Sequence, residues 1–120
     1  LCGLLHDAPE ALSGFGDVAR PSKQRAPIVK ETEENIWRKA IAPKYGLPME
    51  LPDLVHTADT SICYDEMEQN MHEVDPNVGP PLGIELEYWD EDRARAEFWR
   101  AFYQVQCLRG QAGRNEGREA

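Results

Sequence analysis

Four ionisable side chains crowd the stretch LLHDAPEALSGFGD: His6 and Asp7 side by side, Glu10 a turn further on, and Asp17 after a glycine-rich turn. Imidazole nitrogen and carboxylate oxygen are donors that suit Mn, Fe, Co or Zn. On a helix, neighbours project about 100° apart, so His6 and Asp7 do not both face a core. Both can still reach one ion lying beside the helix. Glu10 stands four residues after His6 and three after Asp7, on the same side. From there it can take a proton from an attacking water, whose pKa an ion would lower from 15.7 to about 7. A further anionic donor must come from elsewhere, and Asp59 in LVHTADTSICYDE is the candidate. It sits mid-helix at a propensity cost, with Val55 and Ile62 marking the buried side, and facing the core it would need a partner. A plainer reading is also open: a helix end with ordinary surface charge, and an aspartate tilted to solvent. A lone HD pair is common by chance, and spacing by itself does not separate the two.

The elements that must position these residues read as helices throughout. Residues 1–12 form a helix already under way, with no N-cap and no initiator Met, which suggests a missing N-terminal part. Residues 13–22 are a loop punctuated by Gly14, Gly16 and Pro21. Ile28, Ile36, Trp37, Ala40, Ile41 and Tyr45 recur at helical spacing over residues 28–45. Pro43 should kink or end that helix, and Gly46 is a plausible C-cap. Another helix starts near Leu51 and Pro52 and runs to about Met71. Residues 73–88 hold three prolines and two glycines and form a long irregular loop. Asp90 caps a last helix, from Glu91 to about Leu108, with Ala94, Phe98, Phe102 and Val105 on its apolar face. The expected architecture is all-α: one domain over residues 1–109, then a disordered polar tail over residues 110–120.

Composition narrows the function classes. The 120 residues carry a net charge of −9, and no Lys or Arg falls between Lys44 and Arg93, so a nucleic-acid polymer or an anionic membrane is a poor partner. No run is apolar enough to span a bilayer and no signal sequence is evident, so a soluble, cytoplasmic protein is expected. Cys2, Cys63 and Cys107 are too scattered for a disulfide framework or a zinc ribbon, and read as buried free thiols. His56 lies a turn before Asp59 but reads as structural or surface, and His72 suits a helix end. Trp37 and Trp99 read as core or interface, and Trp89 as an anchor between the long loop and the last helix.

The ordered runs LLHDAPEALSGFGDVARPSK, KETEENIW, YGLP and ADTSICYDEME resemble the HD-domain phosphohydrolases, closest to the branch of bacterial 5′-deoxynucleotidases and phage deoxynucleoside triphosphate triphosphohydrolases. The resemblance covers residues 1–71 and continues weakly through YWDEDRARAEFWRAF. It implies an HD-domain helical bundle whose metal is held in an H…HD…D pattern: His6 and Asp7 match the central pair and Asp59 the final aspartate. The family's first histidine lies on an upstream helix, which has no counterpart in this chain. Glu10 matches the glutamate that activates or orients water, Asp17 an aspartate at the lip of the site, and Lys23 a basic position suited to phosphate. The turn SGFGD is longer than is common among relatives.

The implied activity is metal-dependent hydrolysis of deoxynucleotides, foremost a phage-type release of triphosphate from dATP. The implied cofactor is Zn, Co or Mn, with a second ion such as Mg riding on the substrate phosphates. A homo-oligomer is also implied, and the stripe Phe98, Trp99, Phe102, Tyr103 is wider than a small core needs. Two alternatives stand beside this: a 5′-deoxynucleotidase acting on dNMP, and a non-catalytic nucleotide-binding or interaction module.

Overall fold

A computed structural model describes residues 1–116, and the side chains of residues 1–112. All regular structure among the described residues is helical, in agreement with the all-α expectation. In order these are α1 (Cys2–Leu5), α2 (Ala8–Ser13), α3 (Arg20–Arg25), α4 (Pro27–Ile36), a π-helical turn (Trp37–Ile41), α5 (Ala42–Tyr45), α6 (Asp53–Asn70) and α7 (Glu91–Glu116). No helix among the described residues is long and apolar enough to cross a membrane. The chain forms two compact units, Cys2–Ser61 and a second one from Ile62 onward, with the boundary inside α6.

In the first unit, α2 and α3 pack on α4, and the core comprises Leu5, Val29, Trp37, Ile41 and Ala42. The expected helix over residues 1–12 is broken at His6 and Asp7, which lie in a turn between α1 and α2. Pro9 explains the break: it has no N–H to return to the Leu5 carbonyl, and it belongs in a first turn. Gly14 then ends α2 in the left-handed region, at φ 82°.

Pro43 acts as expected, but by a particular route. It has no N–H for the carbonyl of Lys39, and the helix widens ahead of it: the Ala42 N–H bonds to the Trp37 carbonyl, five residues back. Gly46 caps α5 at φ 59°, as the sequence suggests. Trp37 is buried and its Nε1 donates to the Pro48 carbonyl at 3.0 Å. Ile28, expected on the apolar face, is exposed. Val29 is buried in its place, heading the i,i+4 ladder Val29, Glu33, Trp37, Ile41.

The second unit is organised by a polar face of α6 rather than the apolar one expected. Asp65 is 1% exposed, and its two oxygens accept the N–H groups of Leu82 (2.9 Å) and Gly83 (3.1 Å). One turn on, Gln69 donates to the Ile84 carbonyl at 2.8 Å and accepts the Leu86 N–H at 2.9 Å. The long loop is thus strapped to α6 by side chains that replace backbone partners it would otherwise lack. Asp65→Ala is expected to lower unfolding free energy by about 3 kcal/mol, since each charge-assisted bond is worth about 1.5–3 kcal/mol. Urea denaturation followed by circular dichroism measures it.

Asp90 caps α7 as expected, accepting the Arg93 N–H at 2.8 Å. Trp89 anchors the junction, donating to Glu87 at 2.8 Å with the Arg93 guanidinium 5.0 Å above its ring. The helix continues past Gly110 to Glu116, so residues 110–116 are helical where a disordered tail was expected; residues 117–120 lie outside the described residues. Gln111, Ala112 and Arg114 favour helix, and the two interior glycines, Gly110 and Gly113, weaken the helix without ending it. Trp99 and Tyr103 stack at 5.8 Å and are exposed. The three cysteines are free, as expected, but not buried: Cys2 and Cys63 are half-buried and Cys107 is exposed.

Candidate metal centre

The break between α1 and α2 is what makes Asp7 available. Asp7 occupies the N-cap position of α2, yet its carboxylate caps nothing. A capping side chain normally takes the N–H of the second or third helical residue. Here the second is Pro9, which has none, and the N–H of Glu10 is taken by the Asp7 carbonyl at 3.0 Å. The sequence HDAPE therefore frees the carboxylate, whose Oδ1 lies 3.2 Å from His6 Nε2.

His6 is held in one orientation. Its Nδ1 lies 2.7 Å from the Gly3 carbonyl, which only accepts, so Nδ1 carries a proton. Nε2 then faces two carboxylates: Asp7, and Asp59 on α6, whose Oδ1 is 3.5 Å away. A neutral imidazole lone pair and two carboxylate oxygens are acceptors with no donor between them. Such a set demands a proton on Nε2 or a cation, and its N,O,O chemistry fits the divalent ion that the resemblance implies. The set is open: among the described residues, no three His, Cys, Asp or Glu side chains close into metal-holding geometry.

Asp59 has the partner its placement calls for. Arg20, at the start of α3, donates from Nη2 to Asp59 Oδ2 at 2.7 Å, leaving Oδ1 toward His6. The pair is 54% and 37% exposed, so it orients the carboxylate more than it stabilises the fold. Partial burial raises Asp7 above the usual carboxylate range; His6 opposes this, while Glu10 and Asp59 add to it. With 66% of its side chain open to solvent, little stability attaches to that shift.

Behind the cluster, α2, α3 and α4 each contribute one group to a second constellation. Lys23 Nζ lies 2.7 Å from Glu10 Oε1 and 3.0 Å from Glu33 Oε2, all three largely buried. Burial works against the Lys23 charge, but its hydrogen bonds to Glu10 and Glu33 outweigh this and lift its pKa above 10.5. A lysine raised on folding adds stability that is complete below the unfolded pKa and is lost as pH rises through the folded one. Thermal midpoints are thus expected to fall above about pH 10.5, and Lys23→Met should remove that alkaline step in a pH series of melts.

Glu10 thus stands a turn from the His6–Asp7 pair, as its spacing predicts. Lys23 joins it, as the ion-pair partner of Glu10. Asp17 is exposed in the loop after Gly16 and makes no hydrogen bond or ion pair among the described residues, so the structure does not tie it to the cluster. His56 is exposed, in keeping with a surface role.

Two residues of the site are not singled out by the motif: Glu33, and Arg20, which the sequence offers only as one of several basic residues in the first third of the chain, with Lys23, Arg25 and Lys30. Nothing in local spacing pairs Arg20 with a residue 39 positions away. Glu33 did leave a signal: it is the one carboxylate in the ladder Val29, Glu33, Trp37, Ile41, and its Oε1 is buried without a hydrogen-bond partner. Leaving such an atom unpaired costs about 1–3 kcal/mol. No family model, curated protein or solved structure matches the chain.

Proposed function

We propose that the Cys2–Ser61 unit carries a metal-dependent phosphohydrolase centre acting on deoxynucleotides, foremost releasing triphosphate from a dNTP such as dATP. The observation that carries this reading is the imidazole of His6, locked by Gly3 and facing Asp7 and Asp59 together. His6 Nε2, Asp7 and Asp59 would hold a divalent Zn, Co or Mn ion, and Arg20 would keep Asp59 turned toward it. The ion supplies Lewis-acid polarisation of a phosphoryl oxygen and a more acidic water. Glu10 accepts the proton of the attacking water, oriented for that by Lys23 at 2.7 Å. Arg20 and Lys23, i and i+3 on α3, place two positive charges on one helix face beside these acids, which suits a phosphate chain. A second ion such as Mg would accompany the substrate phosphates.

A second reading has its own observation. Glu10 is already paired with Lys23 at 2.7 Å, so one of its oxygens is committed to an ion pair rather than to a water, which suits a centre that binds nucleotides without turning them over. Phosphorus NMR of the protein loaded in turn with Mn, Co and Zn, incubated with each dNTP and dNMP, separates the cases. Triphosphate from a dNTP supports the leading reading and names the base. Orthophosphate from dNMP alone makes the protein a 5′-deoxynucleotidase. No product with any metal leaves the binding module.

A further inference from the structure

We infer that Glu33 is a positioning residue: from the core face of α4 it anchors the Lys23 ammonium, and the anchored Lys23 fixes the Glu10 carboxylate. The inference rests on Glu10 being the water-activating group. Three observations carry it. Lys23 bridges Glu10 and Glu33 at 2.7 and 3.0 Å, so the three groups form one chain of charge-assisted hydrogen bonds from α2 through α3 to α4. Glu33 stands on the ladder between the buried Val29 and Trp37, with only 15% of its side chain exposed. Its Oε1 has no hydrogen-bond partner, so the position does not satisfy the carboxylate for its own sake.

The chemistry follows from what a lysine is. Its ammonium rides on a flexible four-carbon stem and offers three donors in no fixed fork. Held by Glu10 alone, it would swing with Glu10 and direct nothing. Held by Glu33 as well, which is fixed in turn by a well-packed helix, it becomes a rigid donor aimed at Glu10 Oε1. The remaining oxygen of Glu10 is left for the water.

The test compares Glu33→Gln, Lys23→Met, the double variant and Glu10→Ala. Lys23 is titrated by NMR of its ε-carbon, metal content is measured, and kcat and KM are determined on the nucleotide found to turn over. Glu33→Gln is expected to keep the metal, lower the Lys23 titration midpoint and reduce kcat at least about tenfold, with KM changed far less. In the Lys23→Met background the same substitution should change kcat by less than about twofold, since residues acting through one another are not additive. An equal loss in both backgrounds, or a Lys23 titration indifferent to Glu33→Gln, would overturn the inference.

Should Glu33→Gln fail to fold, Glu10→Ala decides the anchor. Lys23 stays raised if Glu33 holds it, and drops to the ordinary lysine value if Glu33 does not. If the wild-type protein hydrolyses nothing, the reading of Glu10 as a base fails, and with it the positioning role. The Lys23 titrations then show separately whether the anchor itself exists.

Discussion

Glu10→Ala is expected to leave the metal content unchanged and to lower turnover by about 10²–10⁴-fold, the range for a positioned acid–base group. The separation of the two effects follows from geometry. The donors that face one another are His6 Nε2, Asp7 Oδ1 and Asp59 Oδ1, while Glu10 Oε1 is turned to Lys23. Alanine keeps the helical propensity of α2. Lys23 also retains Glu33, so no charge is stranded in the interior. Elemental analysis beside phosphate-release kinetics checks both halves. Metal lost together with activity would make Glu10 a ligand or a fold element and would remove it from the proton-transfer step.

The contrast between Glu10 and Asp7 shows what the sequence could and could not convey. Residue types and short offsets along the chain are local properties, so the proximity of His6, Asp7 and Glu10 was legible. That His6 and Asp7 lie in a turn was legible too, but only by weighing Pro9 above the apolar pattern of the first residues. The need of Asp59 for a partner could be stated in kind, whereas Arg20 could not be named, because a pairing across 39 positions is set by how α3 docks. The buried side of α6 went the other way. Val55 and Ile62 mark the buried side by hydrophobicity, yet Asp65, three residues past Ile62, is buried because loop N–H groups without backbone partners reach it. The far end of α7 was misplaced by treating Gly110 as a stop, where neighbouring helix formers carry the helix on.

His6→Ala should produce the second large effect, and its direction differs from that of Glu10→Ala: metal and activity are lost together. His6 contributes the only nitrogen among the converging donors, held ready by the 2.7 Å contact of Nδ1 with Gly3. Removing it takes away the one nitrogen that both Asp7 and Asp59 approach. Asp59→Asn tests the opposite side, since an amide keeps the shape but gives up the charge that both Arg20 and a cation require. Replacing a group that only orients a ligand typically weakens metal affinity about 10–100-fold. His6→Ala and Asp59→Asn, which remove donors themselves, are expected to exceed that range, while Arg20→Gln, which removes an orienter, should fall within it. Calorimetric titration with Mn or Zn at fixed pH ranks the three. If His6→Ala bound metal as the wild type does, the cluster would be an ordinary proton-bridged ion pair, and both the metal centre and the hydrolase reading would fall with it.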